Sequence, residues 1–304
     1  MATHSNGIKL LVLDIDGTLA GRSNQVEAPV LEAIRAVQAR GIQVAIATGR
    51  MYGSAVRFHQ AVGSALPLMA YQGAYIKDPL TKKVYRHTPL PRSHTLALIA
   101  ELTPLELARQ LSIHLYIDDR LHVREIIADT EEYAARSQII PVAAGDLSRF
   151  LSANAAIETT KLLALSAEPA LVGQLLAKLR AVYPPSELYF TSSTETFFEV
   201  THPQANKGAA VKYLAEDLLD LRPEQVMTVG DNFNDLEMLQ YAGIGVAMGD
   251  APDGVKAAAD WVAPPVANYG VAAAIAEYLL SRPAGHCPEG NYHARYARNH
   301  QRSR

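Results

Sequence analysis

Residues 10–19 read LLVLDIDGTL. Four apolar residues run without a polar break into two aspartates at i and i+2, followed by a glycine. An unbroken apolar run predicts a strand buried on both faces, as in a parallel sheet, where an antiparallel strand with one wet face would alternate. The predicted strand covers 8–13, and Asp14 and Asp16 fall where it ends. Downstream, 29–40 reads as a helix, with Pro29 in its first turn, Val30, Ile34 and Val37 on one face, and Gly41 as its stop. A second apolar strand is predicted over 42–47. Strand, helix, strand in this order predicts a right-handed crossover between parallel strands.

The C-terminal third repeats the pattern. Helices are predicted over 207–219, 236–241 (stopped by Gly243), 255–259 and 270–280, and strands over 225–229, 244–248 and 261–262. The middle differs. Helices over 93–102, 131–136 and 170–182 separate short strands over 114–117, 122–126, 161–165 and 188–191, whose alternation predicts an antiparallel sheet covered by helices. The expected fold class is therefore α/β: a Rossmann-like parallel-sheet core over 1–84 and 194–282, interrupted by an inserted α+β domain over 85–193. Residues 283–304 hold four Arg, one Glu and three His, with Pro283 and Pro288 among them, and are expected to form a flexible basic tail.

In an open α/β sheet, ligands bind outside the carboxyl ends of the strands. Three predicted strands end in polar groups: the first in Asp14-Ile15-Asp16-Gly17-Thr18-Leu19, the second in Thr48-Gly49-Arg50, the third in Gly230-Asp231-Asn232-Phe233-Asn234-Asp235. Asn206-Lys207-Gly208 opens the helix before the third. Two carboxylates at i and i+2 on a strand tip can serve one site in different roles, one as a nucleophile and one as an acid/base. A phosphate would be repelled by them unless a hard cation intervened, and Mg²⁺ suits oxygen ligands beside a phosphate. Asp231 with Asn234 or Asp235 supplies further oxygens. Thr48, Gly49 and the backbone N–H groups at a helix start offer an anion seat, and Lys207 a point charge.

Each piece alone has a plainer reading: a solvated turn for Asp14 and Asp16, a helix cap for Thr48-Gly49-Arg50, a surface lysine for Lys207. Their conjunction at four strand or helix tips favours chemistry. Together the four segments resemble the motifs of the haloacid dehalogenase superfamily, and the insert resembles the α/β cap of its Cof-type sugar-phosphatase branch. Gln72-Gly73-Ala74-Tyr75, Gly245-Val246-Ala247-Met248-Gly249 and Gly270-Val271 extend the likeness, which covers about 8–281.

The resemblance implies a magnesium-dependent phosphatase acting on sugar phosphates or nucleotide- or flavin-like phosphates through a phospho-aspartate. Asp14 would be nucleophile and metal ligand. Asp16 would be the acid/base, touching the metal through its carbonyl. Thr48, Gly49 and Lys207 would bind phosphate. Asp231 would ligate the metal, with Asn234 and Asp235 ligating or orienting. Arg50, Gln72 and Gly73 are candidates for substrate contact, although the family usually has Asn-Gly-Ala where Gln72-Gly73-Ala74 stands. In the insert, His87, His114, Tyr116, Asp118, Asp119, Arg120 and Arg124 are candidate readers of the leaving group, with turn or packing roles as the plainer alternative.

With 28 Lys and Arg against 31 Asp and Glu, the net charge is −3, and the positive charge of 283–304 leaves the remainder more acidic still. That argues against nucleic acid as a partner. The single Cys287 excludes an intramolecular disulfide and fits a reducing cytoplasm. No leader or membrane span is expected, since the apolar run at 10–13 is too brief and 262–280 is broken by Pro and Gly. The expected partner is a small phosphate ester bound by a monomer or homodimer. A phosphomutase of the same superfamily and a non-catalytic phosphate-binding protein are the competing readings.

Overall fold

The computed structural model describes residues 7–280. Residues 283–304, expected as a flexible tail, lie outside the described residues. The chain opens with β1 (Leu10–Leu13), α1 (Ala28–Gln38), β2 (Gln43–Ile46) and α2 (Tyr52–Ala61), then a small sheet of β3 (Leu68–Ala70), β4 (Tyr75–Lys77) and β5 (Val84–His87). The middle contributes α3 (Arg92–Leu107), β6 (Ser112–Ile117), β7 (Arg120–Val123), α4 (Ala128–Ser137), β8 (Val142–Ala143), α5 (Leu147–Ser152), β9 (Thr159–Leu165), α6 (Pro169–Val182), β10 (Tyr189–Thr191) and β11 (Phe197–Thr201). The last third adds α7 (Lys207–Lys212), β12 (Val226–Gly230), α8 (Leu236–Tyr241), β13 (Ile244–Ala247), α9 (Asp253–Lys256), β14 (Trp261–Val262) and α10 (Gly270–Ile275). Both long C-terminal helices finish in π-helical turns, Tyr213–Leu218 after α7 and Ala276–Leu280 after α10.

The core sheet has the order β14-β13-β12-β1-β2, with every pairing parallel. Strand β1 is central and all four of its residues are buried, which is why its sequence carries no polar alternation. Helix α1 covers one face with Val30, Ile34 and Val37. On the other face Leu10, Val12 and Ala45 pack with Val211 and Leu214 of the α7 region.

The inserted sheet has the order β10-β11-β9-β6-β7-β8, antiparallel except for β7 with β8. Its strands alternate between two differently buried faces. Ile113, Leu115, Leu162, Phe198 and Val200 share a cluster with α3, α5 and α6. Tyr116, Leu121, Val123 and Leu163 belong instead to the cluster of the parallel-sheet half. Strand β11 lies between β10 and β9, so the inserted sheet extends to Thr201, beyond the sequence boundary at 193. Strand β5 pairs with β4 in the small sheet, so the crossing into the insert comes after His87. Helix α2 and the small sheet fall outside the elements that the sequence predicts. Among the described residues no helix is long and apolar enough to cross a membrane.

His114 sits on β6 with no exposed surface, and neither ring nitrogen has a hydrogen-bond partner. Its ring meets Tyr133 edge-on at 5.1 Å. It is a buried packing residue, and it does not read a ligand. Burial, aided by the Lys161 charge, pushes its pKa down to about 3. The unfolded chain therefore takes up a proton near pH 6.5 that the folded one refuses, so this site's contribution is intact above that pH and lost as pH falls toward 3. His114→Phe is expected to match or exceed wild-type stability at pH 7.5, since an unpaired donor is removed. By pH 5 its advantage should have grown by about 2 kcal/mol. Denaturant unfolding at the two pH values checks this.

Candidate active site

The register Leu13↔Val229 sets Asp14 level with Gly230, so Asp14 and Asp231 emerge side by side at the carboxyl edge of the sheet. Against Asp14 lies Lys207 at the start of α7, whose N-cap Asn206 accepts from the Ala209 N–H at 2.7 Å. The Lys207 ammonium, 1 % exposed as a residue, donates to Asp14 Oδ1 at 2.7 Å and to Asp235 Oδ1 at 2.5 Å. Asp14, Asp231 and Asp235 each offer a carboxylate oxygen within 4.8 Å of the others'. Residues separated by about two hundred positions thus meet in one pocket, as the sequence reading requires.

Two glycines make this approach possible. Gly17 has φ +80°, and a Cβ there would lie 2.2 Å from Asp231 Oδ2. Gly230 would place a Cβ 2.5 Å from the Asp235 Cβ. The loop after β12 folds back so that Asp235 Oδ2 accepts the Asp231 and Asn232 N–H groups at 2.9 and 3.0 Å. With both oxygens engaged, Asp235 orients the lysine and the loop more than it faces the cavity. Asp231 accepts from the Thr18 hydroxyl at 3.0 Å. Asn234 donates to Gln72 Oε1 at 3.2 Å and lines the cavity.

Burial, with repulsion from Asp235 and Asp16, lifts Asp14 above the usual carboxylate range although Lys207 opposes it. Asp231 is lifted by burial and then by Asp14 and Asp235. Crowded acids of this kind with a single buried cation among them fit a further hard cation with oxygen preference. Asp14 and Asp231 would hold it.

Asp16 is half-buried at the opposite rim. Arg50 grips it with Nε at 2.7 Å and Nη2 at 2.6 Å, and the same Nη2 donates to Asn24 Oδ1 at 2.7 Å. Burial pushes the Asp16 carboxyl up, but the Arg50 hydrogen bonds and charge outweigh it and hold it below its ordinary value. Thr48 is buried; its carbonyl accepts from Gln72 N at 2.9 Å and its hydroxyl from Arg50 N at 3.1 Å.

A cavity of about 440 Å³ opens between the two sheets over these groups. From the core it is lined by Asp14, Asp16, Thr48, Gly49, Arg50, Asp231 and Asn234; from the insert, among others, by Tyr133, Arg136, Lys161, Leu163 and Phe197. The placement corrects part of the sequence reading. Gln72 and Gly73 lie behind the wall: Gln72 bridges Asn234 and Glu199, with Nε2 at 3.3 Å from Glu199 Oε2, and Gly73 packs on α7. None of the seven residues expected as readers of the leaving group lines the cavity. Tyr116 bonds Tyr133 OH at 2.6 Å. Asp119 accepts from Tyr71 OH at 2.7 Å and from Gly53 N at 3.3 Å, docking the β6–β7 turn on the start of α2. Arg124 pairs with Glu106 at 2.7 Å. His87 is exposed and bonds Thr160 at 2.9 Å.

A family model for haloacid dehalogenase-like hydrolases matches residues 11–275. The chain belongs to that family. Among relatives of this hydrolase, the 5-amino-6-(5-phospho-D-ribitylamino)uracil phosphatase YcsE of Bacillus subtilis is 29 % identical over 273 residues, covering 90 % of this chain and 96 % of its own. The pyridoxal phosphate phosphatase YbhA of Escherichia coli is 29 % identical over 263 residues, covering 84 % and 92 %. The crystal structure of TM0651 from Thermotoga maritima superposes with a TM-score of 0.73 at 27 % identity, covering 92 % of this hydrolase and 99 % of that chain.

Removing one of the crowded charges separates cation binding from folding. Asp231→Asn in the hydrolase should be at least as stable as wild type in EDTA, because a repelled buried carboxylate is gone. If Asp14 and Asp231 hold Mg²⁺, the wild type is expected to gain Tm on adding it by mass action and the variant to lose that gain. Thermal unfolding with and without Mg²⁺ measures both effects.

Proposed function

We propose that this hydrolase cleaves small phosphate monoesters, with Asp14 as nucleophile and Asp16 as acid/base. The observation that carries the reading is the Lys207 ammonium held between Asp14 and Asp235 beside Asp231, across from the Thr48–Arg50 loop. A carboxylate that faces a cation and an anion seat is set to attack phosphorus without being repelled. In the first half-reaction Asp14 Oδ forms a bond to phosphorus as the ester P–O bond breaks, and Asp16 protonates the departing alkoxide. In the second, Asp16 takes a proton from water, the water oxygen attacks phosphorus, and the aspartyl–oxygen–phosphorus link opens to release phosphate. The Arg50 fork favours the deprotonated Asp16 that the second half-reaction uses; the first half-reaction requires Asp16 to leave that fork and carry the proton it took from water in the preceding turnover. Mg²⁺ held by Asp14 and Asp231 would supply charge neutralisation at the phosphoryl oxygens. The phosphoryl seat is Thr48, Gly49 and Lys207.

The leaving-group chamber supports a narrower reading. Its outer wall carries Tyr133 and Phe197, whose rings meet edge-on at 5.8 Å, beside Leu163 and Leu165. Such a wall suits a planar ring better than a linear polyol. The relatives named for pyridoxal phosphate and for a pyrimidine-bearing ribityl phosphate agree with this chemistry. We therefore assign the substrate class as a primary-alcohol phosphate that carries a planar heterocycle.

Two measurements test the reading. Magnesium-dependent release of phosphate from p-nitrophenyl phosphate should fall by about 10³-fold or more in Asp14→Asn; unchanged turnover in that variant would remove Asp14 as nucleophile. Phe197→Ala should raise KM about tenfold for pyridoxal phosphate, through lost ring contact, while changing KM for a small aliphatic phosphate little.

A further inference from the structure

Strands β9 and β11 pair with Glu199 opposite Leu163, so Lys161, Leu163, Phe197 and Glu199 all face the catalytic half. Lys161 is 2 % exposed and Glu199 fully buried. An ion pair on a face that apolar residues could pack carries a large desolvation cost, and its contacts show where that cost is directed. The Lys161 ammonium donates to Glu199 Oε2 at 2.8 Å and, across to the other half of the molecule, to the Gly49 carbonyl at 2.9 Å. Gly49 belongs to the phosphoryl seat. Glu199 is saturated by Lys161, by Gln72 Nε2 at 3.3 Å, and by the N–H (3.2 Å) and hydroxyl of Ser193. Burial alone would raise its carboxyl, but Lys161 and these hydrogen bonds hold it below its ordinary value, so it remains anionic.

An ammonium has three N–H donors. Two of them are used, and among the described residues the third has no acceptor. The Tyr116 ring lies 5.1 Å from Nζ, and Lys161 lines the cavity together with Asp14, Asp16 and Thr48. We propose that Lys161 is a substrate-binding residue delivered by the inserted domain, its remaining N–H directed at an oxygen of the bound ester where the phosphoryl seat meets the leaving-group chamber. Glu199 is its positioning residue. The assignment rests on the phosphatase reading above. It places a second cation opposite Lys207, so that an incoming phosphate is flanked by ammonium groups from both halves of the fold.

The test uses the full chain. Lys161→Met keeps the stem and removes the donors but strands the Glu199 charge, which could unfold the protein on its own account. The double variant Lys161→Met with Glu199→Gln removes both charges and should unfold within a few degrees of wild type. Its KM for p-nitrophenyl phosphate, and the Kd for inorganic phosphate measured calorimetrically with Mg²⁺, should rise about tenfold, with a smaller change in kcat. A loss in both places the N–H on the phosphoryl group; a loss in KM alone places it on the leaving-group side. A double variant with wild-type KM and wild-type phosphate affinity overturns the assignment and leaves the phosphatase reading standing. A wild-type protein that hydrolyses no ester, yet binds phosphate more tightly than the double variant, overturns the phosphatase reading and leaves Lys161 standing. Neither turnover nor phosphate binding in the wild type overturns both.

Discussion

The site depends on one buried ammonium. Asp14, Asp231 and Asp235 crowd within 4.8 Å, and carboxylates at that spacing repel strongly where water is excluded. Lys207 relieves two of them at once, and the fold around it keeps that geometry. Asn206 starts the helix that aims the lysine inward, Gly230 lets Asp235 come back over the strand end, and Gly17 leaves room for Asp231. The relief is incomplete, because among the described residues no cationic side chain pairs with Asp231, and burial still lifts both it and Asp14. The pocket is therefore short of positive charge, a condition that suits a hard cation on one side and a phosphoryl group reached through it.

The inserted sheet answers the same demand from the opposite side. Because side chains alternate along a strand, β9 sends Leu162 and Ala164 into its own helices and Lys161 and Leu163 toward the core. One face makes the insert a stable layer. The other must cover a charged pocket, and it does so with a mixture: aromatic and aliphatic residues over one part of the cavity, and an ion pair at Gly49. The Asp119 turn on the start of α2 fixes the layer at a second point. Both contacts fall just beside Thr48–Arg50, so the placement of the insert and the shape of the anion seat are mechanically linked.

What could be read from sequence follows from distance along the chain. Asp14, Thr48 and Asp231 were legible because each directly follows an apolar run, and a parallel sheet brings such ends together whatever lies between. Strand β1 showed itself through LLVL, and α1 through Val30, Ile34 and Val37. Lys161 and Glu199 were not legible: each is one charge in a short strand, and their pairing depends on β9 and β11 becoming neighbours across an intervening helix and strand. The same gap explains why the sequence boundary at 193 leaves β11 with the core. His114 and Tyr116 were legible as strand residues, but not the fact that they pack beneath the cavity wall. Arg50 was legible as a member of its motif, while its grip on Asp16 needed coordinates.

Gln72 shows how such a long-range link is built. Tyr71, Gln72 and Gly73 all have positive φ, at 52°, 59° and 92°, a conformation unfavourable for the first two. It turns the Gln72 side chain inward, where its oxygen accepts from Asn234 and its nitrogen reaches Glu199. The nitrogen passes so close to Gly49 that a Cβ there would lie 2.5 Å away, so this placement of the amide requires a glycine at position 49. Asparagine, usual at this place in the families the motif resembles, is one methylene shorter, and from the same backbone it could not span both partners. The longer amide thus joins the cation side of the pocket, through Asn234, to the Glu199–Lys161 pair of the insert. Backbone strain at Tyr71 and Gln72 is offset by a fully buried polar chain that crosses from one half of the fold to the other.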